Sequence, residues 1–522
     1  MTDCLHGALS RSGTTARAVL LTLFLFLATN AEAEAWLDAG DSALRSDIQY
    51  LVDSGVIDVV LTSWPIPSAD IAWALENAKG REYLTTGQLA AIGRVQRRLS
   101  MFRRDAFRVT GHTSVAANPI ELRTFEDTPR EEGEIGGTLS DAGERFAGRL
   151  AVQWVSSPDD GKSVRLDGTY GSMRLGNWLL SAGWLDRWWG PGWDASLLLS
   201  NNARPVPAIA LDRESSRPFK SKWLSWIGPW RFSTFMGRME EHREDRDHPL
   251  LFGTRLSFRP FSNIKIGSVH PFRGFEFAIE RTAQWCAEGL PCDLDAFWHV
   301  LTGKDSAGVV VSPQDEPGNQ LGGYSFRWGS PAKWFPVSFY YQKTGESGDL
   351  NGTSFRIGRE LNIWGAETWW ATQGGYMWRA HGEVAYTTCG DSAGGTSVLF
   401  DCAYTNHLFP VEGYRYRGRP VGDSIDGDGR SYSFGLQFMT PRAWSASMLV
   451  RYAELNRGGV VPDAINTVAQ EPVNAWEVEL GAVLPGVKSD FKVGLGFDHA
   501  DDQVTNQVDE TLHAYITYQY RF

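Results

Sequence analysis

Residues 512–522 read Leu-His-Ala-Tyr-Ile-Thr-Tyr-Gln-Tyr-Arg-Phe, a strict two-residue alternation. Leu512, Ala514, Ile516, Tyr518, Tyr520 and Phe522 share one side; His513, Tyr515, Thr517, Gln519 and Arg521 share the other. Strand side chains alternate between faces, so such a segment meets two different solvents. An apolar face ending in aromatics, backed by a polar one, is the pattern of an outer-membrane barrel strand between lipid and a wet lumen. Compartment and architecture are constrained together.

The same period recurs along 107–522. Phe146, Leu150, Val152 and Trp154 alternate with Arg145, Arg149 and Gln153. Phe491, Val493, Leu495 and Phe497 alternate with Lys492 and Gly494. Mean hydropathy is −0.28 with 42% hydrophobic residues. That looks soluble, but a barrel turns half of each strand to water. Beyond residue 30 no run approaches the ~18 apolar residues of a membrane helix. The expected fold is all-β: a transmembrane antiparallel β-barrel of about 18 strands, with a small N-terminal α-helical bundle on the periplasmic side. Polar links at 125–143, 283–320, 389–430 and 456–473 read as outer loops, and the mixed charges of Glu240–His248 as a shorter solvated one.

Residues 1–33 read as an export signal. Arg11 and Arg17 precede the apolar core Ala18–Ala28, and small residues at 31–35 offer cleavage sites. Residues 36–102 carry helical spacing instead: Leu44, Ile48, Leu51 and Val52, then Ile71 and Leu75, then Leu89, Ile92, Val95 and Leu99. Thr85–Gln88 matches a capping box, and Trp64-Pro65-Ile66-Pro67 separates the first helix from the second. With no flexible linker after Phe102, the bundle is expected to dock on the barrel, which occupies 107–522.

Four cysteines outside the signal form two near pairs, Cys286 with Cys292 and Cys389 with Cys402. In an exported chain they are expected to close two loop disulfides. Neither has metal-ligand spacing, and no metal or cofactor is expected. A net charge of −12 argues against nucleic acid. No metalloprotease, P-loop or nucleophile-elbow motif occurs, so no enzyme is expected. The lumen-facing charges include Arg255, Arg451, Glu477 and Lys492, and read best as a self-paired network.

Residues 183–213 depart from alternation. Trp184, Trp188, Trp189 and Trp193 crowd around Gly190-Pro191-Gly192, followed by Asn201-Asn202 and Arg204-Pro205. Here the chain resembles the capsule assembly Wzi family of outer-membrane proteins. Trp36-Leu37, Leu44-Arg45-Ser46-Asp47, Gly55-Val56-Ile57 and Ser63–Pro67 match that family too, as do the helices-then-strands order and terminal Phe522. The resemblance implies an 18-stranded barrel and a lectin-like, non-catalytic role in attaching capsular polysaccharide or exopolysaccharide to the cell surface.

Sugar recognition pairs aromatic faces with planar polar groups. Trp188, Trp189, Trp193, Asn201, Asn202, Arg204 and Arg213 are therefore the candidate polysaccharide-binding residues, although tryptophans and arginines also simply pack and pair. Expected partners are the polysaccharide, outer-membrane lipid and the barrel assembly machinery, with the chain a monomer. The alternative reading is an outer-membrane porin or solute channel.

Overall fold

The computed structural model describes residues 35–78, 83–102, 107–267, 270–302, 318–332, 334–347, 357–390, 398–402, 404–406, 408–459 and 466–522. The expected signal segment lies outside them. Eighteen long antiparallel strands, from Arg108–Ala117 to Val508–Arg521, form a closed barrel. Two-residue strands at Val164–Arg165 and Val398–Leu399 supplement the wall. Closure pairs Arg521 with Thr110 and Ala514 with Ala117. Every strand then has two neighbours, so no backbone edge meets hydrocarbon.

The alternation read at the C-terminus holds in space. Leu512 is 66% exposed and Ile516 49%, whereas His513 is 4% exposed and faces the lumen. Opposite the lipid belt, much of the lumen is filled. Arg231, Arg255, Arg327, Arg379 and Arg451 are all buried there.

Much of that filling is the N-terminal segment, with helices α1 (Ser42–Asp53), α2 (Ser68–Glu76) and α3 (Thr86–Phe102). α1 starts at Asp41, whose carboxylate accepts from the Leu44 N–H at 2.9 Å. α3 starts with reciprocal bonds: Thr85 N–H to Gln88 Oε1 at 2.8 Å and Gln88 N–H to Thr85 Oγ1 at 3.3 Å. Ile48, Leu51, Ile71, Leu75, Val95 and Leu99 pack into one apolar cluster. The bundle binds the barrel end that carries short turns. Arg94 reaches Asp47 at 2.6 Å and the Thr440 carbonyl at 3.2 Å, and Arg97 reaches the Gly486 carbonyl at 2.9 Å. Short turns mark the periplasmic end of such barrels.

Two details differ from the expectations. The Glu240–His248 run is not simply solvated: the Arg243 and Asp245 side chains are fully buried. Arg243 donates to the carbonyls of Arg415 (2.8 Å) and Gly413 (2.9 Å), so a neighbouring loop replaces water. The link expected as an outer loop over 125–143 holds a wall strand, Gly133–Ala142, whose polar and small residues face neighbours rather than forming a loop. Elsewhere the strands Ile357–Ala371 and Met377–Gly390 are joined by a tight turn at Gly375.

Candidate functional site

The strands Trp178–Gly183 and Ala208–Arg213 pair directly in the wall, yet the chain that joins them is not a hairpin turn. Between them the chain runs into the lumen. It leaves at Gly183, where φ is +154° and a Cβ would lie 2.2 Å from the Thr169 carbonyl oxygen, a path closed to larger residues. Trp188–Trp189 then pair antiparallel with Ser63–Trp64, tying the inserted segment to the N-terminal region. The Gly190-Pro191-Gly192 turn follows. A Cβ on Gly192 would sit 2.3 Å from the Ala195 carbonyl oxygen.

Beyond the turn the backbone wraps a wall carboxylate. Glu383 accepts from the N–H groups of Trp193 (2.8 Å), Asp194 (3.3 Å) and Ala195 (2.7 Å), and from the Tyr340 hydroxyl at 2.8 Å. Asp194 accepts from Ser433 Oγ at 2.6 Å and lies 2.9 Å from His381 Nε2. Burial alone would raise the Asp194 carboxyl, but the adjacent His381 outweighs it and holds Asp194 below the usual carboxylate range. From below, α1 contributes Arg45, stacked 4.2 Å from the Trp193 ring centroid and 4.4 Å from that of Phe125. Burial lowers Arg45 to about 10. From above, the hydroxyls of Tyr404 and Tyr414 donate to the carbonyls of Leu197 (2.8 Å) and Leu198 (3.0 Å). The lumen thus holds three stacked layers: bundle, inserted segment and outer loop.

The seven residues singled out by sequence are all inside this stack or beside it. Trp188, Trp189 and Trp193 are at most 2% exposed, and none turns a ring face to solvent. Trp188 Nε1 donates to the Gly192 carbonyl at 3.1 Å and Trp193 Nε1 to Glu367 at 3.0 Å. Asn201 and Asn202 donate to the carbonyls of Phe125 (2.9 Å) and Pro420 (3.0 Å). Arg204 forks onto Asp167 at 2.7 and 2.8 Å and also pairs with Asp160. Arg213 stacks 3.8 Å from the Trp230 ring centroid and donates to the Trp230 carbonyl at 2.7 Å. The lumen charges are likewise paired: Arg255 with Glu280, Arg451 with Glu477, and Lys492 with Glu126.

Among the described residues two places bear on sugar binding. A cleft of about 550 Å³ runs between the bundle, the inserted segment and the wall, past Asp41, Arg98, Glu126, Asp490, Lys492 and Tyr515. Arg98 pairs with Asp41 there and Lys492 with Glu126, and the aromatic rings of the lining are those of His112 and Tyr515. The second place is the outer rim. Cys389 and Cys402 form a disulfide, Cα atoms 6.1 Å apart, closing a loop that presents Phe400, 42% exposed. Beside it the Asp401 N–H donates to Asp428 Oδ2 at 2.8 Å, and Arg457 pairs with Glu454 at 2.9 Å. Burial raises Asp428 to about 6. An exposed ring flanked by a guanidinium and carboxylates is the chemistry a sugar needs. Sequence reading passed over Phe400. Its signal was an aromatic two residues from a loop cysteine.

The family model described as capsule assembly protein Wzi matches residues 112–514. The chain belongs to that family. It is 29% identical over 444 residues to an uncharacterized 55.8 kDa protein in the cps region of Klebsiella pneumoniae, covering 84% of this chain and 81% of that one. Its structure matches Wzi of Escherichia coli with TM-score 0.77 at 25% identity, covering 93% of this chain and 99% of that one. That protein is described as an outer-membrane protein involved in group 1 capsule assembly and a carbohydrate-binding β-barrel. An anion-selective porin from Comamonas acidovorans matches with TM-score 0.33 at 10% identity, covering 80% and 99%. As a Wzi-family barrel with a lipid-exposed belt, this chain is an outer-membrane protein.

Proposed function

We propose that this Wzi-family barrel holds capsular polysaccharide or a related exopolysaccharide at the cell surface by binding it without chemistry. The observation that carries this is the filled lumen. Its charges and tryptophans are spent on one another, which leaves the outer rim to meet the polymer. On this reading Trp188, Trp189, Trp193, Asn201, Asn202, Arg204 and Arg213 shape the support, while Phe400, Arg457 and Asp401 supply the contact. The protein acts as a monomer, is solvated by outer-membrane lipid, and presents its terminal strand and Phe522 to the barrel assembly machinery.

Deleting the gene is expected to move polysaccharide from the cell-bound fraction to the medium with the total unchanged. An unchanged partition rejects the reading. Phe400→Ala is expected to reproduce part of that shift with a normally folded barrel. The cleft beside the inserted segment favours one other reading, a solute channel. Steady single-channel conductance in planar bilayers would support it.

A further inference from the structure

Turns at the periplasmic end are mostly short, as at 176–177 and 486–488, but two neighbouring ones are long. Residues 214–229 join the strands Ala208–Arg213 and Trp230–Arg238, and residues 259–273 join Leu250–Phe258 and Gly274–Trp285. Trp230–Arg238 pairs with Leu250–Phe258, so the two links sit side by side. Both fold back over the lipid side of the wall. On Trp230–Arg238 the side chains of Arg231, Ser233 and Phe235 are buried in the lumen, so Trp230 points outward. The Phe219 ring of the first link stacks on it at 4.7 Å. On Gly318–Gly329, Ser325 and Arg327 face inward, so Trp328 points outward. Its Nε1 donates to the Pro271 carbonyl of the second link at 3.3 Å. The links also hold each other: the Phe261 N–H donates to the Trp226 carbonyl at 2.7 Å, and the two rings stack at 5.4 Å.

What the links present is apolar. Trp223 is 88% exposed, Ile266 63%, Trp226 47% and Ile264 44%. The outer face of the wall leads into them. Glu276 and Ala278 face the lumen, so Phe275, Phe277 and the half-exposed Ile279 form an outward row that no charge interrupts. Phe277 meets the outward Phe258 edge-on at 5.6 Å, and Phe272 meets Phe261 at 5.9 Å. The charge of the links is one-sided. They hold six Lys and Arg residues against one acid, Glu214, in a chain of net charge −12. Glu214 is paired with Arg174 at 2.6 Å. Arg259 and Arg273 turn inward, to the Val59 carbonyl and to Gly55. Lys220, Lys222 and Lys265 are exposed, and among the described residues none of the three is in an ion pair.

We infer that the two links form a foot in the periplasmic leaflet of the outer membrane that binds anionic phospholipid. Trp223, Trp226 and Ile266 enter the lipid, and Lys220, Lys222 and Lys265 meet the phosphates. Continuity with a wall already in hydrocarbon favours lipid over a soluble partner. Tryptophan settles at the boundary between acyl chains and headgroups. Apolar side chains flanked by lysines bind a membrane surface through buried area and through attraction to acidic lipid together. Turns elsewhere on this rim are too short to do the same, so lipid grips the barrel more firmly on one side.

The test uses the full mature protein in phosphatidylethanolamine vesicles with phosphatidylglycerol as the minor lipid. Nitroxide labels go on Trp223→Cys, Ile266→Cys and, as the aqueous reference, Gln96→Cys on the exposed side of α3. Each variant is checked for the compact electrophoretic mobility of the folded barrel. The oxygen-to-nickel-chelate accessibility ratio is expected to be several-fold higher at Trp223 and Ile266 than at Gln96. Native mass spectrometry is expected to find phosphatidylglycerol on the protein several-fold above its share of the vesicle. Lys220→Gln, Lys222→Gln and Lys265→Gln together should return it to that share. Chelate access equal to that at Gln96 overturns the inference, because the links then hang in the periplasm. Protection from both reagents overturns it too, by placing protein on the patch. So does phosphatidylglycerol at its vesicle share in the parent, or an enrichment that the triple variant keeps; the links would then be plain girdle without a headgroup site.

Discussion

At Arg327 two parts of the chain meet on one guanidinium. Asp53 of α1 binds it at 2.7 and 2.8 Å, and Glu367 of the wall at 2.6 Å; Glu367 also binds Arg379 at 2.6 Å. Removing one member of a buried ionic cluster leaves the others uncompensated, at a cost of roughly 3–5 kcal/mol. Arg327→Met is therefore expected to lower the temperature at which the folded electrophoretic form is lost, and Arg327→Met with Glu367→Gln to cost less than the two singles combined. Asp423, in the outer loop, has a different balance. It is 1% exposed, and among the described residues its Oδ2 receives no hydrogen bond. Burial pushes its carboxyl up to about 7. The folded chain then keeps a proton that the unfolded chain releases near pH 4, so stability falls as pH rises from about 4 to about 7. Asp423→Asn removes that loss. The variant's melting midpoint is expected to exceed the parent's at pH 8 and to converge with it near pH 4. At this scale the sequence showed which residues were unusual, not which way they faced. Trp188, Trp189 and Trp193 stood out, but their burial depends on Ser63–Trp64, Glu367 and Arg45, more than a hundred residues away in sequence.

Elements were legible where the signal is local. The capping box of α3, the spacing of Leu44, Ile48 and Leu51 in α1, and the alternation of 512–522 each depend on a few adjacent residues. The tight turn after Ala371 was not, because Met377–Gly390 continues the same alternation. Nor was the helix Leu294–Thr302: some two turns inside a long link give too few periods to separate helix from loop. The N-terminal segment poses the sharpest question at this scale. Wall arginines use it as acceptor: Arg231 the carbonyls of Ser63 and Pro65, Arg259 that of Val59, Arg379 Ser46, and Arg255 Thr62 Oγ1. Without those acceptors the guanidiniums need water instead. Removing residues 36–102 is thus expected to destabilise the barrel and to hydrate its lumen. A lower melting temperature together with new single-channel conductance would be the signature; a silent, equally stable barrel would show that the bundle is dispensable filling.

For the whole molecule, closure was legible because a barrel must repeat one pattern around its circumference, and repetition survives the loss of any one strand's signal. The path of 184–207 through the lumen was not, since leaving the wall is a single event with no period. That path bears on how the protein handles a polymer. On the proposed reading the polymer meets the outer face, where one exposed ring and one guanidinium would make a weak individual contact. Weak contacts hold a long chain when many act at once, because each bound unit raises the effective concentration of the next. Retention should then depend steeply on both polymer length and protein copy number. Partial depolymerisation is expected to release short fragments to the medium while long chains stay bound. Lowering expression from an inducible promoter should raise the length needed for retention. If fragments of a few repeats are held as well as full-length polymer, and retention falls only in proportion to copy number, each barrel binds its polymer tightly and alone. Multivalent attachment would then be the wrong account.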